Sequence, residues 1–209
     1  MRGGVTDGQV KTRFINEWLC KHRLRRSIST VCELGFMSGH SAMLFLQSTE
    51  AKLISFDLGD SPWTRPAADI ISAAYGNRFE FVIGLSNNTV HQYRADHPAL
   101  SCDVLFVDGS KFPEQRLLDL HNFRRLAKSG SVLFYDEASS LPCVMGEVPE
   151  TSRLCSGNEG AAIAYNRAAR EGLVKVTECR WAITEDGKIR GGIPKKGHIG
   201  DGSCVAEYL

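Results

Sequence analysis

The chain has 209 residues, 43% of them hydrophobic, with 25 lysines and arginines against 24 aspartates and glutamates and a net charge of +1. That length fits one domain, residues 1–209, with a full core, and the charge balance lacks the basic surplus with which nucleic-acid and anionic-membrane binders neutralise phosphates. No apolar run approaches the ~20 residues that span a bilayer, and Met1 to Gly8 has no apolar stretch of the signal-peptide kind, so a cytoplasmic location is expected.

Short β-rich runs alternate with helical periods along the chain. Phe14 to Arg26 forms the first helix, with Phe14, Ile15, Trp18 and Leu19 on one face; it is the only decoration, residues 1–28, ahead of the first strand. Ser29 to Leu34 is that strand, and Ser38 to Gln47 the next helix. Lys52 to Phe56 is a second strand, followed by a helix over Pro66 to Tyr75 with proline in its first turn. Phe79 to Ile83 and Asp103 to Val107 are strands three and four, separated by a helix over Asn87 to Ala95. The fourth strand is nearly all apolar and therefore buried on both faces. Pro113 to Ala127 is a helix and Ser131 to Tyr135 the fifth strand. Residues 138–157 show no period and hold Pro142 and Pro149, as a substrate-shaping loop would. Glu159 to Arg170 resumes helix. Leu173 to Thr184 and Ser203 to Leu209 are strands with no helix between them, so they form an antiparallel edge. Lys188, Arg190, Lys195 and Lys196, between those strands, read as a solvated hairpin surface. The whole is an α/β, Rossmann-like three-layer sandwich around a seven-stranded, mainly parallel sheet. Seven cysteines, odd in number and scattered without CxxC pairs or nearby histidines, read as reduced thiols.

In such sheets ligands sit past the carboxyl ends of the strands. After the first strand comes Glu33-Leu34-Gly35-Phe36-Met37-Ser38-Gly39-His40-Ser41. Its glycines permit a sharp turn and close approach of backbone to a ligand, and the following helix points free N–H groups at it. Asp57, about 20 residues further on, is placed to accept both hydroxyls of a ribose. Gly84-Leu85-Ser86-Asn87-Asn88, past the third strand, is able to bond a base edge. In this order, the three loops point to a nucleoside site.

Glu33-Leu34-Gly35-x-x-x-Gly39-x-Ser41-Ala42, then Asp57, then Gly84-x-Ser86-Asn87, resembles the class I S-adenosylmethionine-dependent methyltransferases, and within them the catechol O-methyltransferase-like small-molecule enzymes. The resemblance runs from about Val31 to about Glu137. It implies that Glu33, Gly35, Gly39 and Ser41 border the methionine part of S-adenosylmethionine, that Asp57 holds its ribose, and that Ser86 and Asn87 meet its adenine.

Asp108 and Lys111 follow the fourth strand, and Asp136 and Glu137 the fifth. Adjacent strands lie ~4.8 Å apart, so these carboxylates stand close enough to share a cation of the Mg²⁺ kind. The family pattern has aspartate, then lysine three residues later, then Asp-Asn; here Glu137 replaces the asparagine. By that resemblance a divalent ion on Asp108, Asp136 and Glu137 binds two substrate oxygens, Asp108 also borders the cofactor, and Lys111 takes the acceptor's proton. The acceptor is then an oxygen of a small molecule; the alternatives are a metal-free small-molecule N-, S- or O-methyltransferase, with Asp108, Asp136 and Glu137 gripping a cationic substrate, or a non-catalytic S-adenosylmethionine-binding subunit. Neither nucleic acid nor membrane is a partner, and a homodimer is compatible with the chain.

Overall fold

The structure, a computed structural model, describes residues 5–22, 28–155, 160–181 and 202–209. Seven strands form one sheet in the order β3-β2-β1-β4-β5-β7-β6. They are β1 (Thr30–Leu34), β2 (Lys52–Asp57), β3 (Phe79–Ile83), β4 (Cys102–Val107), β5 (Ala127–Ala138), β6 (Val174–Trp181) and β7 (Gly202–Tyr208). All neighbours run parallel except β7, which is antiparallel to both β5 and β6. Strand order reverses between β1 and β4, which opens a crevice at their carboxyl ends.

Side-chain alternation along each strand feeds two apolar layers. Val31, Leu53, Val104, Phe106, Val132 and Phe134 face α1 (Val5–His22), α2 (His40–Ser48) and α3 (Thr64–Tyr75). Cys32, Ile54, Phe56, Leu105, Leu133 and Tyr135 face α4 (Ser86–Asp96), α5 (Pro113–Arg124) and α7 (Ala161–Arg170). Between β5 and α7 lies the short helix α6 (Leu141–Val144), capped by Ser140.

Four features depart from the sequence expectations. Helix α1 begins at Val5, not Phe14, because its polar first turns carry no apolar period for the sequence to show. Strand β5 continues to Ala138, since β7 supplies hydrogen-bonding partners along its length. The stretch 138–157 contains α6 and a 3₁₀ turn at Arg153–Cys155, joined where Ser139 and Ser140 both donate to the Leu154 carbonyl at 2.9 Å. The reduced-thiol reading is corrected: Cys32–Cys102, Cys143–Cys155 and Cys179–Cys204 are disulfides, and only Cys20, exposed on α1, is free. Two of these pairs join neighbouring strands, so they are made by tertiary adjacency across 70 and 25 residues, which spacing in the sequence does not reveal. The basic tail residues Lys188, Arg190, Lys195 and Lys196 lie outside the described residues.

Candidate active site

The turn after β1 is set by contact between two strand ends. Gly35 has φ +94°, and a Cβ placed on it would stand 2.2 Å from the carbonyl oxygen of Asp108. No L side chain fits there, so the ends of β1 and β4 touch through bare backbone. Gly39, at φ +80°, caps α2, and a Cβ on it would run into Ile71 and Phe36.

Glu33 is fully buried at the end of β1. It accepts hydrogen bonds from the hydroxyls of Ser41, on the first turn of α2, and Ser55, on β2 at 2.6 Å. Burial pushes its carboxyl up to about 7, against the pull of the two serines. A buried carboxyl balanced near neutrality beneath an open turn is suited to a cationic ligand, which would draw it into the charged form.

Asp57 has more to do than the ribose role expected of it. Its Oδ2 accepts from the amides of Phe36 (2.8 Å) and Met37 (2.9 Å), and its Oδ1 from Gly59 (2.7 Å). The carboxylate thus ties the β1 turn to the β2 turn. These three bonds leave about one of its ~four acceptor positions unused. Ser86 and Asn87 are bonded to neighbouring side chains of α5. Ser86 donates to Asp119 at 2.7 Å, and Asn87 exchanges hydrogen bonds with Gln115 and accepts one from Asn122. Both residues expected at the adenine therefore join α4 to α5. Asp119 itself is buried, which raises its carboxyl despite Ser86 and Gln115.

The carboxylates past β4 and β5 divide between the two faces of the sheet. Asp136 follows Phe134 onto the α1 face, and Glu137 points to the α5 face. A bulge helps to separate them: the β5–β7 register shifts between Tyr135 and Ala138, with Glu137 at φ +63°. On the α1 face, Lys11 of α1 donates to Asp108 Oδ2 at 3.0 Å and to Asp136 Oδ2 at 2.6 Å, while Ser203 donates to Asp136 Oδ1 at 2.9 Å. On the other face, Glu137 pairs with Lys111 at 2.6 Å and with Arg116 at 3.2 Å. Arg116 is wholly buried. Its guanidinium also donates to Tyr165 and to the carbonyls of Val107, Gly109 and Ser110, and lies 3.9 Å from Asp108. Tyr165 in turn donates to the Asp136 carbonyl at 2.7 Å. Burial raises Asp108, with Lys11 pulling it down and Asp136 pushing it up again. Burial also raises Glu137, opposed by Lys111. Lys11 is held above the usual lysine range, since the two carboxylates outweigh the cost of burying it.

This donor set does not fit the shared divalent ion. Asp108 and Asp136 are bridged by an ammonium, Glu137 is paired on the opposite face, and three cations already answer three carboxylates. Among the described residues no three His, Cys, Asp or Glu side chains are grouped to hold a metal ion. Sequence reasoning missed Lys11, Arg116, Asp119 and Tyr165. Arg116 and Asp119 sit on a helix where charged residues read as solvated, and Lys11 precedes the first apolar period. No sequence signal marks them.

A methyltransferase-domain family matches residues 32–138. None of the curated protein sequences matches the chain. Among solved structures, an O-methyltransferase from Bacillus cereus in complex with S-adenosylhomocysteine superposes with a TM-score of 0.63 at 16% identity, covering 94% of this chain and 81% of that one. The O-methyltransferase TomG from Streptomyces achromogenes, in complex with S-adenosylmethionine, gives 0.61 at 17% identity, covering 93% and 78%. The N-methyltransferase NodS from Bradyrhizobium japonicum gives 0.57 at 12% identity, covering 97% and 98%. These likenesses establish the fold, and the family match spans the glycine turn, Asp57 and all the strand-end carboxylates. The chain belongs to the methyltransferase-domain family and has the Rossmann-like fold of the class I enzymes.

Proposed function

We propose that this protein transfers the methyl group of S-adenosylmethionine to an oxygen of a small molecule. The observation that carries this is the crevice between β1 and β4, where bare backbone at Gly35 and the buried, near-neutral Glu33 meet the Asp57-braced turn. The rim is apolar: Met37, Leu58, Trp63, Leu85 and Phe112 are exposed, one or two on each loop past β1 to β4. Large apolar side chains left in water at a strand-end crevice mark a binding surface, here for a purine and a flat acceptor. When bound, the cofactor supplies a methyl group made electrophilic by its sulfonium.

The residues divide the remaining work. Glu33, buried beneath the turn, draws the cationic amino-acid end by its charge without touching it, Asp57 offers its remaining acceptor capacity to the ribose, and the Gly35–Gly39 backbone lets the ligand close on the sheet. Ser86 and Asn87 fix the α4 loop through Asp119 and Gln115, and reach the adenine only through that loop's position. Loss of the acceptor's proton falls to the Lys111–Glu137 pair. Lys111, half exposed, is the member that reaches the substrate. Lys111 is an ammonium, so as it takes the acceptor's proton it passes one of its own to Glu137, whose carboxylate, raised by burial, ends the step protonated while Lys111 stays charged. Two ammonium groups near the acceptor favour a developing oxyanion over a cationic amine, which supports oxygen as the atom methylated.

The same reading takes a small molecule, not nucleic acid, as partner, and is compatible with a homodimer. No helix among the described residues is long and apolar enough to cross a membrane. The cytoplasmic location expected from reduced thiols loses that support, because six of the seven cysteines are paired.

Calorimetry with S-adenosylhomocysteine tests the proposal. Wild type binds, and Asp57→Ala weakens binding at least tenfold. A wild type that does not bind overturns it.

A further inference from the structure

We infer that Lys11 is the resident cation of this site: its ammonium occupies the place between Asp108 and Asp136 where a divalent ion was expected, and methyl transfer here needs no metal. The inference rests on the proposed methyl transfer for its chemistry, but its geometry stands alone. Lys11 Nζ lies 3.0 Å from one carboxylate and 2.6 Å from the other, over the ring of Phe106 at 5.5 Å from its centroid. Its side chain is only 23% exposed. The residues three and four positions on, Phe14 and Ile15, are buried against the sheet, so the helix holds Lys11 over the strand ends.

Charge balance points the same way. Asp108, Asp136 and Glu137 are each paired with a cation already, through Lys11, Arg116 and Lys111. Magnesium prefers carboxylates with several waters around it. Here the second oxygen of Asp136 is bonded to Ser203, and that of Asp108 faces buried Arg116. An ammonium has three N–H donors, and two are used by the carboxylates. The third is not taken by a carboxylate, and an acceptor oxygen brought beside it would be stabilised electrostatically as it gains negative charge, with no bond to Lys11 forming or breaking.

Manganese titration followed by electron paramagnetic resonance tests this on the intact protein, because Mn²⁺ is held by the same oxygen ligands. Wild type leaves millimolar Mn²⁺ free, and its affinity for S-adenosylhomocysteine is unchanged by EDTA. Lys11→Met, which removes the charge and keeps the apolar stem, leaves Asp136 without a cation and Asp108 with Arg116 alone, and binds Mn²⁺ at least tenfold more tightly than wild type. Asp136→Asn added to Lys11→Met abolishes that gain. Wild type binding Mn²⁺ stoichiometrically, with the binding lost in Asp136→Asn, overturns the inference, and this arm does not depend on whether Lys11→Met folds. Circular dichroism checks the fold of each variant, and Lys11→Arg, which restores the charge, again excludes Mn²⁺. Failure of wild type to bind S-adenosylhomocysteine would remove the methyltransferase reading while leaving the metal arms to decide the role of Lys11.

Discussion

Glu33 shows at the scale of one residue how burial tunes a site before any ligand arrives. Its carboxyl is ordinarily near 4.5 and is pushed up to about 7. The raised value means that the fold favours the protonated form. Its contribution to stability is therefore fully present below about 4.5 and is lost as pH rises through about 7. Wild type, measured against Glu33→Gln by urea denaturation, should lose on the order of 3 kcal/mol of relative stability between pH 4.5 and 8, at ~1.4 kcal/mol for each tenfold change in proton affinity. A difference that stays flat with pH refutes the assignment. A cationic ligand reverses the preference, so S-adenosylhomocysteine should bind more tightly at pH 8 than at pH 6 and release a proton on binding at the lower pH. Gly35 provides the complementary steric test. Gly35→Ala puts a methyl group 2.2 Å from the Asp108 carbonyl and should cost more than about 2 kcal/mol. At this scale the sequence was informative wherever function requires a particular residue type at a strand end: Glu33, Gly35, Asp57 and Asp108 all lie at the crevice. It was silent on Asp57's three amide partners, since nothing in the side chain tells which backbone it will meet.

At the scale of elements, α5 matters because it carries Arg116 under the loop past β4. The guanidinium is the common partner of Glu137, Tyr165, the carbonyl of Val107 at the end of β4, and two carbonyls of that loop, Gly109 and Ser110. Removing it leaves Glu137 with Lys111 as its cation and leaves several buried acceptors unanswered at once. Arg116→Ala should therefore cost about 3–5 kcal/mol by urea denaturation, and Arg116→Lys should recover only part of that, lacking the planar fork. A loss under about 1 kcal/mol would mean that water replaces the fork without penalty. The order of the strands and of the longer helices was legible, because apolar runs of strand length alternate with helical periods, while the short α6 in 138–157 carries no period to read. The facing of elements was less so. Ser86 and Asn87 fall at the expected loop, yet their side chains bind Asp119, Gln115 and Asn122, because the sequence of α4 does not say how close α5 packs. Asp136 and Glu137 read as one pair of ligands, yet the bulge between Tyr135 and Ala138 interrupts the alternation there and Glu137, at φ +63°, turns to different partners from Asp136.

For the whole molecule, the cysteines set the terms on which it is stable. Thiol titration of native, non-reduced protein should find one reactive group, Cys20, and six more only after reduction in denaturant. Each bridge should contribute about 2–4 kcal/mol, so reduction should lower the melting temperature. Seven reactive thiols in the untreated protein would show the pairs to be unformed. Sequence spacing gave no hint of these pairs, because the sheet alone brings β1 to β4 and β6 to β7. Helix α1 has a further consequence of the same global kind. It is a rod of 18 residues, about 27 Å long at ~1.5 Å per residue, pinned along one side by Phe14, Ile15 and Leu19. Each added residue rotates whatever precedes it by ~100° about the axis. One alanine inserted between Thr12 and Arg13 would leave the pinned side in place and swing Lys11 off the strand ends, without altering a single atom of the crevice. The ion pairs at the strand ends are thus set by a phase angle, fixed by the two residues that separate an ammonium from a phenyl ring.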